Sequence, residues 1–236
     1  MIWLLALSLS IQADEVSRHT LTVGCSDWKP YCYYDEGSLK GPAYQLAKKV
    51  MDSSKLEYSF EYFPWNRIYR LALNQENYLI MGLGRTQKRE NLFSWIAPLR
   101  KPARIYAYKL KSSKVIIEKP EDLLNYQLAV ERAAFTQDYL LALGYNKDKL
   151  ITVSRMDQLL KMALHNRIDG FILDENVFKF ESLKNNIDPN LFEASLVVFE
   201  VTEYLAAHKS TPAHIIKKIK DTYLYLLKEG EIELVQ

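Results

Sequence analysis

The sequence predicts an α/β fold made of two similar units. Short runs of apolar and β-branched residues alternate with amphipathic helical segments along the chain. Residues 21–83 show the order strand, helix, strand, helix, strand, and residues 127–174 repeat that order. This alternation favours sheets of mostly parallel strands that are joined by right-handed crossovers.

The first series carries clear start signals for its helices. Pro42 and Pro64 each stand at the beginning of an amphipathic segment, where proline costs no intrahelical hydrogen bond. The segment after Pro64 is apolar at positions i, i+3, i+4 and i+7, beginning at Trp65. The predicted strands are residues 21–25, 57–63 and 78–83. We expect no regular structure in the aromatic loop at residues 26–41, because its glycines and Pro30 disfavour it.

The chain is expected to pass between the two units twice. A strand at 103–110 follows a connection between two prolines, at residues 98–102. Strands at 195–201 and 204–209 precede a last helix, with Thr211 as its N-cap. These patterns predict a first lobe of residues 20–102 plus 203–236, a second lobe of residues 103–202, and a hinged cleft between them.

Composition excludes several classes of function. The 31 Lys and Arg residues nearly balance 29 Asp and Glu, so the net charge of +2 points to neither a nucleic-acid nor a membrane-surface partner. Two cysteines and four scattered histidines show no metal-ligand spacing, so we expect no metal and no cofactor. The 16 tyrosines and 4 tryptophans suit a pocket lined with aromatic rings. After the N-terminus no apolar run is long enough to span a membrane.

The N-terminus has the character of a secretory signal. Residues 1–13 are apolar and uncharged, and Ala13 precedes an abrupt change to polar sequence. The segment is short and lacks a basic start, which a start codon placed slightly late would explain; a buried strand or helix is the alternative. We therefore expect an exported protein. Cys25 and Cys32 are compatible with a disulfide in an oxidising compartment, and equally with two buried free thiols.

The segment 82–98 is the strongest candidate for a binding site. It follows the predicted buried strand and brings together glycines, Thr86 and Arg89. A strand end that offers backbone amides, a hydroxyl and a guanidinium is a common place for an α/β protein to hold a small anion.

Several stretches in order resemble a known family. They are VGCSDWKPY with LKGPAYQLAKKV, then MGLGRTQKRENLFSWIAP, PEDLLNYQLAVE and NRIDGFILDENV. Together they resemble the periplasmic solute-binding proteins of family 3, the receptors of amino-acid ABC transporters. The resemblance implies the two-lobed type II binding-protein fold and a small-molecule ligand in the cleft. It also implies a periplasmic monomer, with an ABC transporter permease as a candidate partner.

The resemblance also assigns roles to residues. Arg89 matches the arginine that holds the ligand's α-carboxylate, and Asp174 matches the carboxylate that receives its α-ammonium. Trp28, Tyr31 and Trp65 match aromatic positions around the ligand side chain. Each has a plainer alternative: a solvated arginine, a helix N-cap for Asp174, and core packing for Trp65.

The chain departs from the family in both lobes. Gly82 and Gly84 stand where the family commonly has hydroxyl residues, so the backbone of Gly84 and the hydroxyl of Thr86 remain as donors. In the second lobe alanines at 133 and 134 replace a glycine and a hydroxyl, with Thr136 close by. Because of these departures, we expect fewer hydrogen bonds from the protein to a ligand carboxylate.

Three functions are compatible with these patterns. The first is capture of a small polar, carboxylate-bearing ligand, such as an amino acid, without catalysis. The alternative is a lyase on the same fold that resembles a cyclohexadienyl dehydratase, with Glu131, Asp174 and Glu175 as candidate general acids. No Ser-His-Asp, Cys-His or metal pattern supports an enzyme. The third is a free-standing sensor module.

Overall fold

The structure is a computed structural model that describes residues 20–236. The predicted export signal, residues 1–13, lies outside the described residues. In chain order the strands are β1 (Leu21–Cys25), β2 (Tyr33–Asp35), β3 (Ser38–Lys40), β4 (Tyr58–Tyr62), β5 (Tyr78–Gly84), β6 (Phe93–Pro98), β7 (Ala103–Leu110), β8 (Leu128–Glu131), β9 (Ile151–Val153), β10 (Gly170–Asp174), β11 (Phe192–Val201) and β12 (Glu203–His208). The helices are α1 (Pro42–Ser54), α2 (Trp65–Asn74), α3 (Phe135–Ala142), α4 (Asp157–Leu164), α5 (Glu175–Lys184) and α6 (Ala213–Lys228).

The strands form two five-stranded sheets and a small hairpin. The first sheet has the order β4-β1-β5-β12-β6, and the second has the order β11-β7-β10-β8-β9. In each sheet three neighbouring strands run parallel, β4-β1-β5 and β10-β8-β9, and the others pair antiparallel. The predicted α/β class is confirmed, with the parallel strands where the two repeated series place them.

Burial explains why these segments take these forms. Every residue of β5 is buried, as expected for a central strand covered on both faces. Helices α1 and α2 bury one stripe each, through Leu46 and Val50 in α1 and Ile68 and Ala72 in α2. The parallel strands end at the same edge of each sheet, and that edge is where loops meet to form a site.

Local details differ from the prediction. The loop expected to be irregular contains the hairpin β2-β3. The segment 93–98, for which the sequence indicated no regular element, is strand β6 and pairs with β12. The last helix starts at Ala213 with Pro212 at the N-cap position, so Thr211 is not the cap. A short 3-10 helix, Pro120–Asn125, lies between β7 and β8.

Cys25 and Cys32 form a disulfide, which decides between the two alternatives left open by the sequence. Their Cα atoms lie 6.4 Å apart, and both side chains are fully buried. The bond joins the end of β1 to the loop that carries Trp28, and a bridge between Trp28 and Cys32 closes the same turn. Closing so short a loop removes about 2–3 kcal/mol of chain entropy from the unfolded state in the chain-entropy account. The disulfide therefore fixes the position of Trp28.

Two short segments connect the sheets. Residues 99–102 lead from β6 to β7, and Thr202 alone lies between β11 and β12. The two segments are joined to each other, because the amide of Leu99 donates a 2.9 Å hydrogen bond to the carbonyl of Glu203. The division of the chain into two lobes at these points stays a prediction. Within residues 20–236, no helix combines the length and the apolar character needed to cross a membrane.

Candidate functional site

A cavity of about 50 Å³ lies between the two sheets. That volume holds a few waters or a head group of a few non-hydrogen atoms. The residues around it come from both halves of the fold: Ser26, Trp28, Trp65, Gly82, Glu131, Ala134, Phe135, Thr136, Met156, Ile172, Leu173, Asp174, Val177 and Glu203. Most of them follow strand ends, which is the usual position of a site in an α/β fold.

Two glycines allow aromatic rings to approach the backbone of β5. Gly82 has φ +72°, and a Cβ there would lie 2.7 Å from the Trp28 ring. A Cβ on Gly84 would lie 2.5 Å from the ring of Phe135, which comes from α3 of the other half. The space left by the missing side chain of Gly84 is therefore filled by Phe135. The glycines that replace the expected hydroxyl residues serve the packing of aromatic rings.

Arg89 is fully buried and already has partners. Its Nε and Nη2 atoms lie 3.3 and 3.0 Å from Oδ2 of Asp138, on α3 of the other half. Nη2 also donates to the carbonyl of Ala133 at 3.0 Å. The guanidinium carbon stands 4.8 Å from the centre of the Tyr69 ring. Trp65 Nε1 donates to the same Ala133 carbonyl at 3.0 Å. Arg89 thus joins the two halves through a carboxylate of the chain itself.

Two donors beside this contact have no partner. Nη1 of Arg89 and the hydroxyl of Thr86 are buried without a hydrogen bond among the described residues. Unpaired buried donors are costly and call for an explanation, such as a water or a ligand atom. Neither residue lines the cavity, so the cavity in this arrangement does not reach these donors.

Asp174 serves as a helix cap and as an ion-pair partner. Its Oδ1 accepts from the amides of Asn176 and Val177 at 2.7 and 2.9 Å, which caps α5. Its Oδ2 lies 3.1 Å from Nη2 of Arg100. The N-cap alternative is therefore present in the structure, and the carboxylate still borders the cavity.

Arg100 lies between two carboxyl groups. Besides Asp174 it faces Glu203, with 3.3 Å between Nη1 and Oε2, and its guanidinium carbon is 4.1 Å from the centre of the Tyr31 ring. Only 2% of Arg100 is exposed. Burial raises the pKa of Glu203 to about 8, against the opposing effect of Arg100 and with some help from Asp174.

Glu131, at the end of β8, is the cavity's free carboxyl group. Desolvation by the surrounding protein raises its pKa to about 8, and the charge of Asp27 adds to the rise. The side chain has no hydrogen bond or ion pair with any residue between 20 and 236. Its environment therefore favours the neutral form until a cation or a donor approaches.

We expect stability to fall as pH rises toward 8, because Glu203 keeps its proton in the folded state. An unfolded glutamate ionises near pH 4.3, so between that value and pH 8 the folded state holds the extra proton. Each such group lowers the free energy of unfolding by up to about 1.4 kcal/mol per pH unit in this range. Urea unfolding at pH 5, 6, 7 and 8 measures the slope.

The control for this pH effect is Glu203→Gln, which is isosteric and cannot titrate. Glu131 also has a raised pKa and makes the free energy of unfolding fall with pH in the same range. The variant, in which only Glu131 contributes, should therefore lose stability with pH about half as steeply as the wild type. Equal slopes for the two proteins would show that Glu203 does not hold a raised pKa.

The structure brings four of the eight predicted site residues to the cavity. Trp28, Trp65, Thr136 and Asp174 line it. The other four, Gly84, Thr86, Arg89 and Tyr31, do not. Tyr31 is buried beside the cavity, and its hydroxyl accepts a 3.0 Å hydrogen bond from Asn176 Nδ2. The ligand-binding roles of all eight residues stay predictions.

Sequence reasoning did not place several important residues at the site. Arg100 and Glu203 lie in or beside the connecting segments, where no periodic pattern marks them. Asp138 occupies an ordinary helical position. The sequence marks Glu131 only as a candidate general acid, although its place at the end of a parallel strand is a usable signal for a site residue. Among residues 20–236 no group of three or more His, Cys, Asp and Glu is placed to hold a metal ion.

Solved structures with this fold are numerous. A histidine kinase sensor domain with similarity to periplasmic binding proteins is 17% identical over 91% of this chain and 93% of its own, with a TM-score of 0.80. ArgBP from T. maritima in its holo form is 19% identical over 91% and 93% of the two chains, with a TM-score of 0.73. The arginine-, lysine-, histidine-binding protein ArtJ from Geobacillus stearothermophilus is 18% identical over 90% and 91%, with a TM-score of 0.72.

At these identities the likeness establishes the fold alone. No curated protein sequence matches the chain. The model of one protein family, however, matches residues 21–235, which is nearly the whole part of the chain that the structure describes. The chain belongs to the bacterial extracellular solute-binding proteins, family 3.

Proposed function

We propose that the protein captures a small polar solute, an amino acid or a related nitrogen compound, in the cavity between its two sheets. Capture takes place outside the cytoplasm, in the periplasm, and serves an ABC transporter or a sensor. The protein acts as a monomer. Family membership supports solute binding, and the arginine-binding structures of the same fold support a nitrogen-bearing ligand.

One observation carries the proposal: a cavity lies between two sheets, and within residues 20–236 the backbone passes from one sheet to the other only at residues 99–102 and at Thr202. Aromatic rings and a few polar groups from both halves converge on it, as in most small-molecule sites. A solute that contacts both halves favours their closed arrangement, because the open arrangement makes only part of those contacts.

The lyase alternative is less well supported. Of its three candidate acids, Glu131 and Asp174 border the cavity, whereas Glu175 does not. Asp174 already accepts three interactions, from two amides and Arg100, which leaves it poorly placed to transfer a proton. The family consists of binding proteins. We therefore propose a protein that binds its solute and releases it unchanged.

A thermal-shift screen of amino acids, amines, small peptides and organic anions tests the function. A solute at about 100 times its dissociation constant should add about 2.7 kcal/mol to the free energy of unfolding. NMR spectra of each binding solute after long incubation should show no product. A screen without any stabilising solute would contradict the proposal, and new product signals would favour the lyase.

A further inference from the structure

The cavity offers a hydrogen-bonding set that nothing in the fold itself satisfies. Ser26 and Thr136, from opposite halves, are 6% and 5% exposed, and both line the cavity. Neither hydroxyl forms a hydrogen bond with any residue between 20 and 236. The carboxyl of Glu131 is also without a partner there. Polar groups in such a position are normally paired, so they point to an occupant that forms hydrogen bonds: the hydroxyls can donate or accept, and the carboxylate of Glu131 would accept from a donor.

The ionisable side chains that line the cavity are all acidic. They are Glu131, Asp174 and Glu203, and no lysine, arginine or histidine of the described chain lines it. Arg100 pairs with Asp174 and Glu203, and Arg89 pairs with Asp138, so among the described residues neither buried arginine is free for a ligand. A carboxylate in this cavity would find no free cation to balance it, whereas a cation would meet the unpaired carboxyl of Glu131.

Helix N-termini supply the opposite polarity. Three of them reach the cavity wall, α2 at Trp65, α3 at Phe135 and Thr136, and α5 at Val177, and a helix N-terminus attracts negative charge. Two of them already have a carboxylate of the chain, since Asp174 caps α5 and Asp138 lies in the first turn of α3. The Phe135 ring also fills the space against Gly84, which separates the cavity from the turn that holds Arg89.

The aromatic walls favour a cation as well. Trp28 and Trp65 both border the cavity, and indole faces attract ammonium groups by about 0.5–2 kcal/mol. A volume of about 50 Å³ fits an ammonium group and its first carbons, with the remainder of a larger molecule directed toward the opening.

We propose that the cavity binds the ammonium group of a small amine that lacks an α-carboxylate, through Glu131, Ser26, Thr136 and the two tryptophans. This inference rests on the proposed solute-binding function and narrows its ligand class. The carboxylate of Asp138 occupies the position beside Arg89 that the carboxylate of a ligand would need.

Matched pairs of amine and amino acid test the proposal directly on the wild-type protein. Titration calorimetry should compare tyramine with tyrosine, agmatine with arginine, and cadaverine with lysine. At least one amine should bind at least tenfold more tightly than its amino acid. An amino acid that binds as tightly as its amine would overturn the proposal and show that the donors of Thr86 and Arg89 are used.

Substitutions locate the bound ammonium. Glu131→Gln keeps the shape and removes the charge, and should weaken the amine at least tenfold. Glu121→Gln, an exposed glutamate in the same half, is the matched control and should leave the affinity unchanged. Equal affinity of the wild type and Glu131→Gln would contradict the assignment. If no amine binds but another class of solute does, the amine assignment is wrong and the solute-binding function stands. If no solute binds at all, the proposed function is wrong as well.

Discussion

Replacing Arg100 by methionine should destabilise the protein by about 3–5 kcal/mol, the cost of leaving buried charges without their partner. Arg100 is 2% exposed and lies within 3.3 Å of both Asp174 and Glu203. Without it, the buried carboxylate of Asp174 is left without a cation, beside a Glu203 that keeps its proton at pH 7. Chemical unfolding of the unliganded protein at pH 7 measures the loss.

The neighbouring residue provides the control. Lys101→Met removes an exposed cation one position along the chain and should change the free energy of unfolding by about 0.5 kcal/mol or less. Adding Asp174→Asn to Arg100→Met should recover part of the loss, because Asn still caps α5 and the carboxylate left without a cation is then gone. A loss below about 1 kcal/mol for Arg100→Met would show that water or another group satisfies the Asp174 carboxylate without it.

Arg89→Met should cost about 3 kcal/mol in the unliganded protein, because Arg89 is a buried partner of Asp138. Lys88→Met is a matched control, since Lys88 contacts the other oxygen of the same carboxylate at 2.6 Å but is 61% exposed. Exposed pairs contribute about 1 kcal/mol or less. Thermal and urea unfolding of both variants without ligand compare the two contacts.

The outcome for Arg89 separates structure from ligand binding. If Arg89→Met and Lys88→Met are equally mild, the contact with Asp138 does not stabilise the empty protein, and Arg89 is available for a ligand. A double-mutant cycle with Asp138→Asn then isolates the energy of the pair, because the two residues are in direct contact.

The sequence was sufficient for the fold class because two strong signals repeat along it. Apolar strands such as residues 78–84 and proline-initiated helices such as α2 depend on local pattern, which survives in any tertiary context. Strand β6 was missed because its pairing partner β12 comes from the far end of the chain. Strand pairing between segments that are distant in the sequence produces no periodic pattern of apolar residues that could be recognised locally.

The site is harder to predict because its chemistry depends on which charged side chains form ion pairs with each other. Arg89 was found by its place in a motif, but its partner Asp138 lies on another helix and carries no motif. Asp174 was expected to face a ligand, and Arg100 meets it from a connecting segment. Residue type and spacing indicate that a charged group is present, whereas only the structure shows which partner neutralises it.

The connection between the sheets has a mechanical consequence. β6 and β12 pair antiparallel up to Pro98 and Tyr204, and β7 and β11 pair antiparallel from Ala103 and Val201 onward. Between these paired strands, residues 99–102 lie opposite Thr202, and the amide of Leu99 bonds across to the carbonyl of Glu203. Leu99 and Lys101 also exchange backbone hydrogen bonds with Val235, so the C-terminus holds this connection on the side of the first sheet. We expect the halves to swing apart about these two segments, which parts Arg89 from Asp138 while Arg100 and Glu203 stay together beside the connection.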